Sequence, residues 1–182
     1  MNPGKRGTRR VYDGRIINLD IDEVEFPDGS RGQLEMIRHP GASAVVPFLT
    51  ASTAKDPEIV LIRQYRYAAD GWIYEIPAGR LDRSEDPHDC AARELREETG
   101  YTAGRIQHLH TMYTSPGFTD ERIHLFLAFD LSQGEAATEP DEFVTCESMP
   151  LAAAVELVQS GVICDGKTAV ALLLASRFVG RG

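Results

Sequence analysis

Three carboxylates lie close together in residues 86–99, a segment with the composition of a helix. Glu94 and Glu98 are four positions apart and therefore share one helix face, with Glu97 beside them. Like charges at this spacing repel each other, and acids near a helix C-terminus oppose the helix dipole. Because a bound cation would offset both penalties, and oxygen ligands suit hard ions, the cluster predicts a site for Mg²⁺ or, alternatively, Mn²⁺.

A solvated helix face is the alternative explanation, because Arg93 and Glu97 can form an ordinary surface pair. The surrounding residues favour the metal site. They continue a pattern of fixed spacing over residues 79–101, made of Gly79, Glu85, Arg93, Glu94, Leu95, Glu97, Glu98, Gly100 and Tyr101. So many specified positions make a chance match improbable, unlike a motif of two or three residues.

This pattern resembles the signature of the Nudix hydrolase family, a loop–helix–loop that holds divalent metals against a diphosphate. The resemblance implies an α+β protein with the Nudix fold, an α/β/α sandwich around a mixed sheet. Glu94 and Glu98 then correspond to the metal ligands of the family, and Glu97 corresponds to a residue that assists them in many members.

Three further residues of the pattern have supporting roles in this family. Gly79 opens the loop, and Glu85 and Arg93 would form a pair that orients the loop and the helix. Cleavage of a diphosphate requires neutralisation of its oxygens and activation of a water molecule. Since carboxylates alone repel a polyanion, Mg²⁺ would convert the acidic face into a phosphate site.

The segments on either side of the pattern resemble one branch of the family, the ADP-ribose pyrophosphatases and nucleoside diphosphate sugar hydrolases. Residues 74–81 contain the run Glu-Ile-Pro-Ala-Gly, in which Ala78 would supply a backbone carbonyl ligand to the metal. Residues 114–121 have the sequence Thr-Ser-Pro-Gly-Phe-Thr-Asp-Glu, which in this branch carries a Glu that reaches over the site. Glu121 is therefore the candidate general base, ahead of Glu97. An ordinary surface loop between strands is the alternative.

Two arginines near the end of a predicted strand are candidates for substrate binding. Arg63 and Arg66 lie in the run Ile-Arg-Gln-Tyr-Arg, where this branch has arginines that contact phosphate and sugar. Arg66 is the preferred clamp on the diphosphate, because a guanidinium group binds phosphate oxygens in a bidentate manner. The alternative is that it pairs with the abundant acids at the surface.

Strands and helices follow one another without strict alternation, which favours an α+β or layered α/β/α domain. Residues 1–10 are polar and basic and are expected to be frayed, whereas residues 11–39 predict an antiparallel hairpin unit. The expected domains are residues 1–40, a β subdomain that would dimerise as in related enzymes, and residues 41–182, the hydrolase domain. Further strands are predicted over residues 43–49, 58–65, 106–113, 122–129 and 143–147, an acidic loop over 134–142, and helices over 86–99, 151–159 and 167–178.

The composition excludes several classes of function. A net charge of −9 and a pI near 5.0 argue against nucleic-acid binding, which needs clustered Lys and Arg. No run of about 18 apolar residues predicts a membrane span, and the basic N-terminus lacks the apolar stretch of a signal peptide. The three cysteines, Cys90, Cys146 and Cys164, lack metal-ligand spacing and are interpreted as small buried side chains in the reducing cytoplasm.

The leading hypothesis is hydrolysis of ADP-ribose to AMP and ribose 5-phosphate by a homodimer. A different nucleoside diphosphate sugar, such as a GDP- or UDP-hexose, stays an open alternative because no residue of the sequence decides between them. A domain that senses nucleotide sugars without cleaving them is less compatible with the intact Glu94, Glu97 and Glu98.

Overall fold

The computed structural model describes residues 4–135 and 143–179. Most of the acidic loop predicted over residues 134–142 lies outside the described residues. Contacts along the chain define two compact units, one made of Met1–Gly41 with Met112–Arg122 and the other of Ala42–Thr111 with Ile123–Gly182. Residues 112–122 thus group with the N-terminal strands, although they are distant from them in sequence.

The first unit is built on a three-stranded antiparallel sheet in the order β1 (Gly4–Asp13), β2 (Asn18–Glu25) and β3 (Arg31–Arg38). The prediction that residues 1–10 are frayed is wrong for residues 4–10, which pair with β2. Polar contacts across the strands stabilise this edge: Arg10 forms an ion pair with Asp20, and the Thr8 hydroxyl donates to Asp22 at 2.6 Å. A strand that is stabilised by polar pairs across the sheet has no alternating apolar pattern by which the sequence would reveal it.

The predicted hairpin unit is therefore a three-stranded meander, and β2 begins later than expected. Residues 15–17, predicted to belong to the strand, form a turn instead, closed by the Gly14 N–H on the Ile17 carbonyl at 3.1 Å. The turn predicted at residues 27–29 connects β2 with β3, where Gly29 adopts a φ of 84°.

The second unit contains the other strands and all the helices of the described residues. The strands are β4 (Ala42–Pro47), β5 (Glu58–Arg66), β6 (Gly71–Glu75), β7 (Ala78–Arg80), β8 (Tyr101–Tyr113), β9 (Arg122–Gln133) and β10 (Val144–Pro150), with the ends of β8 and β9 in the first unit. The helices are α1 (Pro87–Thr99), α2 (Leu151–Gln159) and α3 (Gly166–Phe178), and a short 3-10 helix spans Tyr67–Ala69. One sheet has the order β7-β4-β9-β8 and the other β10-β5-β6.

The pairing of β4 with β9 is parallel and that of β4 with β7 is antiparallel, so the larger sheet is mixed. Leu95 of α1 packs against Val45 and Phe126 from the central strands, and all three side chains are buried. Burial of this apolar stripe fixes α1 on the sheet. A mixed sheet with packed helices confirms the predicted α+β class.

The ends of α1 follow the sequence signals. Asp86 caps the N-terminus by accepting from the His88 N–H at 2.8 Å. Gly100 terminates the helix with a φ of 77°, a left-handed conformation that favours glycine. The helices predicted over 151–159 and 167–178 are also confirmed, α3 beginning at Gly166. Within residues 4–135 and 143–179, no helix is long and apolar enough to cross a membrane.

The strands β6 and β7 were not predicted. Each is short, and Pro77 between them suggests a loop because proline donates no backbone hydrogen bond. The Pro77 carbonyl nevertheless accepts from the Val45 N–H at 2.9 Å, which ties this segment to β4. A loop of six residues, 81–86, connects β7 with α1.

Candidate metal and diphosphate site

The strand β7 and the C-terminal half of α1 lie next to each other in the second unit. Glu98 is 3% exposed, and its Oε2 accepts from the Ala78 N–H at 2.9 Å. A buried carboxylate requires such a donor, since an unpaired charge away from water is costly. Ala78, the expected backbone ligand, and Glu98, one of the expected carboxylate ligands, are thus neighbours.

Arg93 is the centre of this arrangement. Its Nε and Nη2 each donate at 2.9 Å to the two carboxylate oxygens of Glu85. Nη1 donates to Glu94 at 2.6 Å and to Glu97 at 3.1 Å. Nη2 also donates to the Arg80 carbonyl at 3.1 Å, so that one guanidinium group ties the loop to the helix.

The pair between Arg93 and Glu85 shifts the titration of both groups. The hydrogen bonds from Arg93 lower the pKa of Glu85 to about 2 from its ordinary 4.5, and the same bonds raise the pKa of Arg93. Glu85 is therefore ionised throughout the neutral range. The orienting role implied for these two residues has a direct physical basis in this bidentate ion pair.

Gly79 lies directly against the carboxylate of Glu94. A methyl group at position 79 would place its carbon 1.8 Å from Oε1 and 2.1 Å from Cδ of Glu94. Such distances are impossible for non-bonded atoms, so any side chain at position 79 would displace the Glu94 carboxylate. The side chain of Glu94 itself is mostly buried.

The donor atoms of this region suit a hard divalent cation. Glu85, Glu94 and Glu97 all pair with Arg93, and Glu97 also pairs with Arg96 at 3.6 Å, so three carboxylates face two guanidinium groups. Oxygen donors in excess of nearby cations fit Mg²⁺ or Mn²⁺. Among the described residues, no group of three or more His, Cys, Asp or Glu side chains is arranged as a metal site, and Nη1 of Arg93 donates to both Glu94 and Glu97.

Cys90 supports the loop from within the core. Its buried thiol lies 3.6 Å from the Gly79 carbonyl and 3.7 Å from that of Arg80. Burial and the nearby charge of Glu85 raise its pKa to about 12, so it stays a neutral thiol. The expectation that all three cysteines are buried is wrong for Cys146 and Cys164, which are exposed. The residue type alone does not reveal whether a cysteine faces the core or the solvent.

The two candidate substrate arginines have different surroundings. Arg66 forms a bidentate pair with Glu75, through Nε at 2.6 Å and Nη2 at 2.9 Å. Lys167 binds the same carboxylate, which is 1% exposed. Arg63 lies over the ring of Tyr74 with its guanidinium carbon 5.1 Å from the centroid, and no described residue accepts a hydrogen bond from its buried Nε.

Glu75 and Lys167 were missed by the sequence analysis. Burial disfavours the charge on Glu75, but Arg66 and Lys167 outweigh that effect, so its pKa is lowered. An acid inside the otherwise apolar run 73–77 was a signal that a buried cation partner exists. Its partner from α3 is 92 positions away, which no local pattern reveals.

Glu121, the candidate base, belongs to the first unit. Its Oε2 accepts from the Thr114 hydroxyl at 2.8 Å, and its Oε1 lies 3.3 Å from Nδ1 of His39. His39 was also missed, because a single histidine beside Pro40 carries no pattern of its own. Residues 78–98, which carry the candidate metal ligands, belong to the second unit.

Comparison with known proteins places this chain in a family. The model of the NUDIX domain matches residues 39–178. An ADP-ribose pyrophosphatase of Bacillus subtilis (strain 168) is 41% identical over 165 residues, covering 90% of this chain and 86% of its own length. A methanol dehydrogenase activator of Bacillus methanolicus is 41% identical over 167 residues, covering 91% and 88%.

A GDP-mannose pyrophosphatase of Salmonella typhimurium is 37% identical over 161 residues, covering 80% of this chain and 82% of its own. A solved structure of an ADP compounds hydrolase matches with a TM-score of 0.81 and 22% identity, covering 98% of this chain and 94% of that one. This structural match confirms the predicted Nudix fold. Since the domain model spans most of the sequence and each of these sequence relatives shares more than a third of the aligned residues, the chain belongs to the Nudix hydrolase family.

Proposed function

We propose that this protein hydrolyses the diphosphate bond of ADP-ribose, giving AMP and ribose 5-phosphate, with Mg²⁺ as its cofactor. The observation that carries the proposal is the carboxylate arrangement of the second unit. Arg93 fixes Glu94 and Glu97, while Glu98 is held against Ala78. The similarity to an ADP-ribose pyrophosphatase across 90% of the chain supports the choice of substrate.

In this proposal Glu94, Glu98 and the Ala78 carbonyl hold the metal, and Glu97 assists them. Mn²⁺ can replace Mg²⁺ because both are hard cations that take oxygen ligands. When bound, the metal supplies positive charge that neutralises the phosphate oxygens and makes phosphorus more open to attack. The excess of carboxylates around Arg93 provides the charge that attracts it.

Glu121 acts as the general base. It removes a proton from a water molecule whose oxygen forms a bond to one phosphorus of the substrate. The bond between that phosphorus and the bridging oxygen breaks, and its electron pair goes to the departing phosphate. Arg63 and Arg66 bind the phosphate oxygens and thereby orient the substrate.

A broader nucleoside diphosphate sugar hydrolase is the second candidate. The specific observation in its favour is the similarity to a GDP-mannose pyrophosphatase over 80% of this chain. A sensor without catalysis is a weaker alternative, because the carboxylates and their orienting pair are intact. We further expect a homodimer, which light scattering of the purified protein would detect.

The substrate is tested with ADP-ribose, GDP-mannose, UDP-glucose and FAD at a fixed Mg²⁺ concentration. A coupled phosphatase releases phosphate from the monoester products but not from the diphosphate substrates. If kcat/KM is highest for ADP-ribose, the proposal is supported. If kcat/KM is higher for GDP-mannose or UDP-glucose than for ADP-ribose, the second candidate function is supported instead. No turnover on any of them contradicts both.

The base is tested with Glu121→Gln, which keeps the shape of the side chain and removes its basicity. We expect kcat to fall by about 10²–10⁴-fold while the affinity for Mn²⁺ is unchanged. Glu156→Gln is the matched control, because Glu156 is an exposed acid on α2. Turnover of E121Q within a few-fold of wild type would remove Glu121 from the mechanism.

A further inference from the structure

The first turn of α3 is joined to the end of β6 by a buried hydrogen bond. The Ile76 N–H donates to Oγ1 of Thr168 at 2.9 Å, and both residues are fully buried. The Thr168 hydroxyl in turn donates to Asp165 at 2.6 Å, which leaves its oxygen free to accept from Ile76. Since Asp165 also accepts from the Thr168 N–H at 3.0 Å as the cap of the helix, the hydroxyl is held in one orientation.

Lys167, from the same turn, binds the residue before Ile76. Its Nζ forms an ion pair with Glu75 and a second one with Asp165 at 3.1 Å. Arg66 binds the same Glu75 carboxylate through both of its oxygens. A carboxylate that is 1% exposed needs such partners, because water cannot replace them. Glu75 and Ile76 are therefore both held by α3, the first through its side chain and the second through its main chain.

Two further contacts fix the residues that follow. The Pro77 carbonyl accepts from a backbone N–H of β4 at 2.9 Å, and the Ala78 N–H donates to Glu98 at 2.9 Å. Each residue of the segment 75–78 thus has a partner of its own, and α3 provides partners for the first two. Because proline has a fixed φ, a displacement of Ile76 is passed on to Ala78 more readily than it would be across a flexible residue.

We propose that Lys167 and Thr168 are positioning residues that keep Ala78, the expected backbone ligand of the metal, in place. They act through Glu75 and Ile76 and do not touch the metal themselves. Mg²⁺ tolerates little error in the position of its ligands, so a shift of Ala78 weakens binding even when every ligand is present. The inference rests on the proposed function, in which Ala78 belongs to the metal site.

A contribution to stability alone is the alternative role for these contacts. The helix already packs into the second unit through the buried apolar residues Ala171, Leu172 and Ala175. Buried ion pairs add little to stability in comparison with apolar contacts, because the charged groups lose their hydration. The polar contacts are instead concentrated at the first turn of α3, where they reach the two residues at positions 75 and 76. This placement favours a role in orienting the segment that leads to Ala78.

The first experiment removes the hydroxyl of Thr168 and measures the affinity for Mn²⁺ by calorimetric titration. Thr168→Val keeps the shape of the side chain but leaves the buried Ile76 N–H without its acceptor. We expect the Mn²⁺ affinity of folded T168V to fall by about 10-fold, and that of Thr168→Ser, which retains a hydroxyl, to stay within about threefold of wild type. Thr50→Val is the matched control, because the exposed Thr50 hydroxyl accepts from the Glu58 N–H at 2.9 Å and neither residue is an expected ligand.

Lys167→Met provides a test that does not depend on the folding of T168V. Glu75 retains its bidentate pair with Arg66 in this variant, so the fold should survive. We expect the Mn²⁺ affinity to fall by about 3–10-fold, whereas Lys55→Met, a substitution of an exposed lysine, should leave it unchanged. Wild-type Mn²⁺ affinity in the folded variants at positions 167 and 168, whatever their melting temperatures, would overturn the inference.

The dependence of turnover on Mg²⁺ separates a positioning role from a loss of stability. If Ala78 is displaced and not removed, a higher Mg²⁺ concentration compensates for the weaker binding. The Mg²⁺ concentration that gives half-maximal turnover should therefore rise by about 10-fold in T168V, with the maximal kcat within about threefold of wild type. A lower maximal kcat at an unchanged half-saturating concentration would contradict the positioning role.

Glu98→Gln distinguishes a failure of the inference from a failure of the proposed function. If E98Q loses Mn²⁺ affinity while T168V and K167M keep it, the inference alone is wrong. If E98Q also binds Mn²⁺ as tightly as the wild type, the metal is not held beside Ala78. The proposed metal site then fails, and the inference fails with it.

Discussion

The close approach of Gly79 to Glu94 gives a prediction with a calculable size. A Cβ atom at position 79 would lie 1.8 Å from Oε1 of Glu94, whereas ordinary contacts begin at 3.4 Å. In Gly79→Ala the carboxylate must therefore retreat by about 1.6 Å. A bond from Mg²⁺ to oxygen is about 2.0–2.1 Å long and tolerates little error, so Glu94 could no longer serve as a ligand in the same site.

The fold should survive this change, because the atoms in conflict belong to the end of a flexible side chain. Gly79 also does not have the left-handed backbone that excludes alanine. We expect the melting temperature of G79A to be within about 4 °C of the wild type, which corresponds to about 1 kcal/mol. Loss of one ligand should lower kcat/KM by about 100-fold and weaken Mn²⁺ binding by a similar factor.

Calorimetric titration with Mn²⁺ measures the affinity directly, and the coupled phosphatase assay measures turnover. Gly166→Ala is the matched control, since a Cβ there would meet no atom within 4 Å. It should leave both quantities unchanged. Wild-type Mn²⁺ affinity in a folded G79A would refute the assignment of Glu94 as a ligand, because the displacement cannot be avoided by a small shift.

Three more outcomes follow from the contacts of Arg93 and Glu98. Glu85 has a pKa of about 2 in the fold against an ordinary 4.5, so its ionised form stabilises the protein above about pH 4.5, and this contribution is lost as the pH falls towards 2. The stability gap between wild type and Glu85→Gln in urea unfolding should therefore narrow over that range, whereas Glu156→Gln should show no such trend. Glu98→Gln should weaken Mn²⁺ binding by about 10–100-fold in calorimetry, and unchanged affinity would exclude it as a ligand. Arg93→Lys, which cannot form the bidentate pair, should lower the melting temperature and kcat together, and no change in either would contradict the orienting role.

The helix that carries the candidate metal ligands was predictable because its determinants are local. The cap at Asp86, the glycine that ends α1 and the spacing of the glutamates all act within one turn or two of the same helix. Their geometry follows from helix periodicity, and the structure agrees with the predicted bounds. The resemblance assigned Ala78 and Glu98 to one site, but the hydrogen bond from the Ala78 N–H to the Glu98 carboxylate was not predicted.

What the sequence did not reveal depends on partners that are remote in the chain. Lys167 reaches Glu75 across 92 positions, and Arg38 reaches Asp120 across 82. Such pairs are set by how strands and helices pack, which periodicity does not encode. The N-terminal strand was missed for a related reason, because β1 is held by polar pairs and exposes most of its side chains.

Arg66 is the residue for which sequence and structure point to different roles. The family resemblance makes it a clamp on the diphosphate, whereas the structure has its Nε and Nη2 on Glu75. The two roles are compatible, because the pair leaves Nη1 outside the bidentate contact. A carboxylate that fixes one edge of a guanidinium group orients the other edge and lowers the entropy lost on binding a phosphate.

Substitution of Arg66 distinguishes a clamp from a purely structural pair. Arg66→Ala leaves Glu75 buried with Lys167 as its remaining cation, so we expect a loss of about 1–3 kcal/mol in urea unfolding. A clamp predicts in addition that KM for ADP-ribose rises by about 10–100-fold in the folded variant, since a charge-assisted contact to phosphate is lost. Glu75→Gln provides the control, because it weakens the pair while Arg66 is retained, and it should lower stability with a much smaller effect on KM. If R66A and E75Q lose the same stability and both keep the wild-type KM, Arg66 is a structural residue and the diphosphate is bound by other groups.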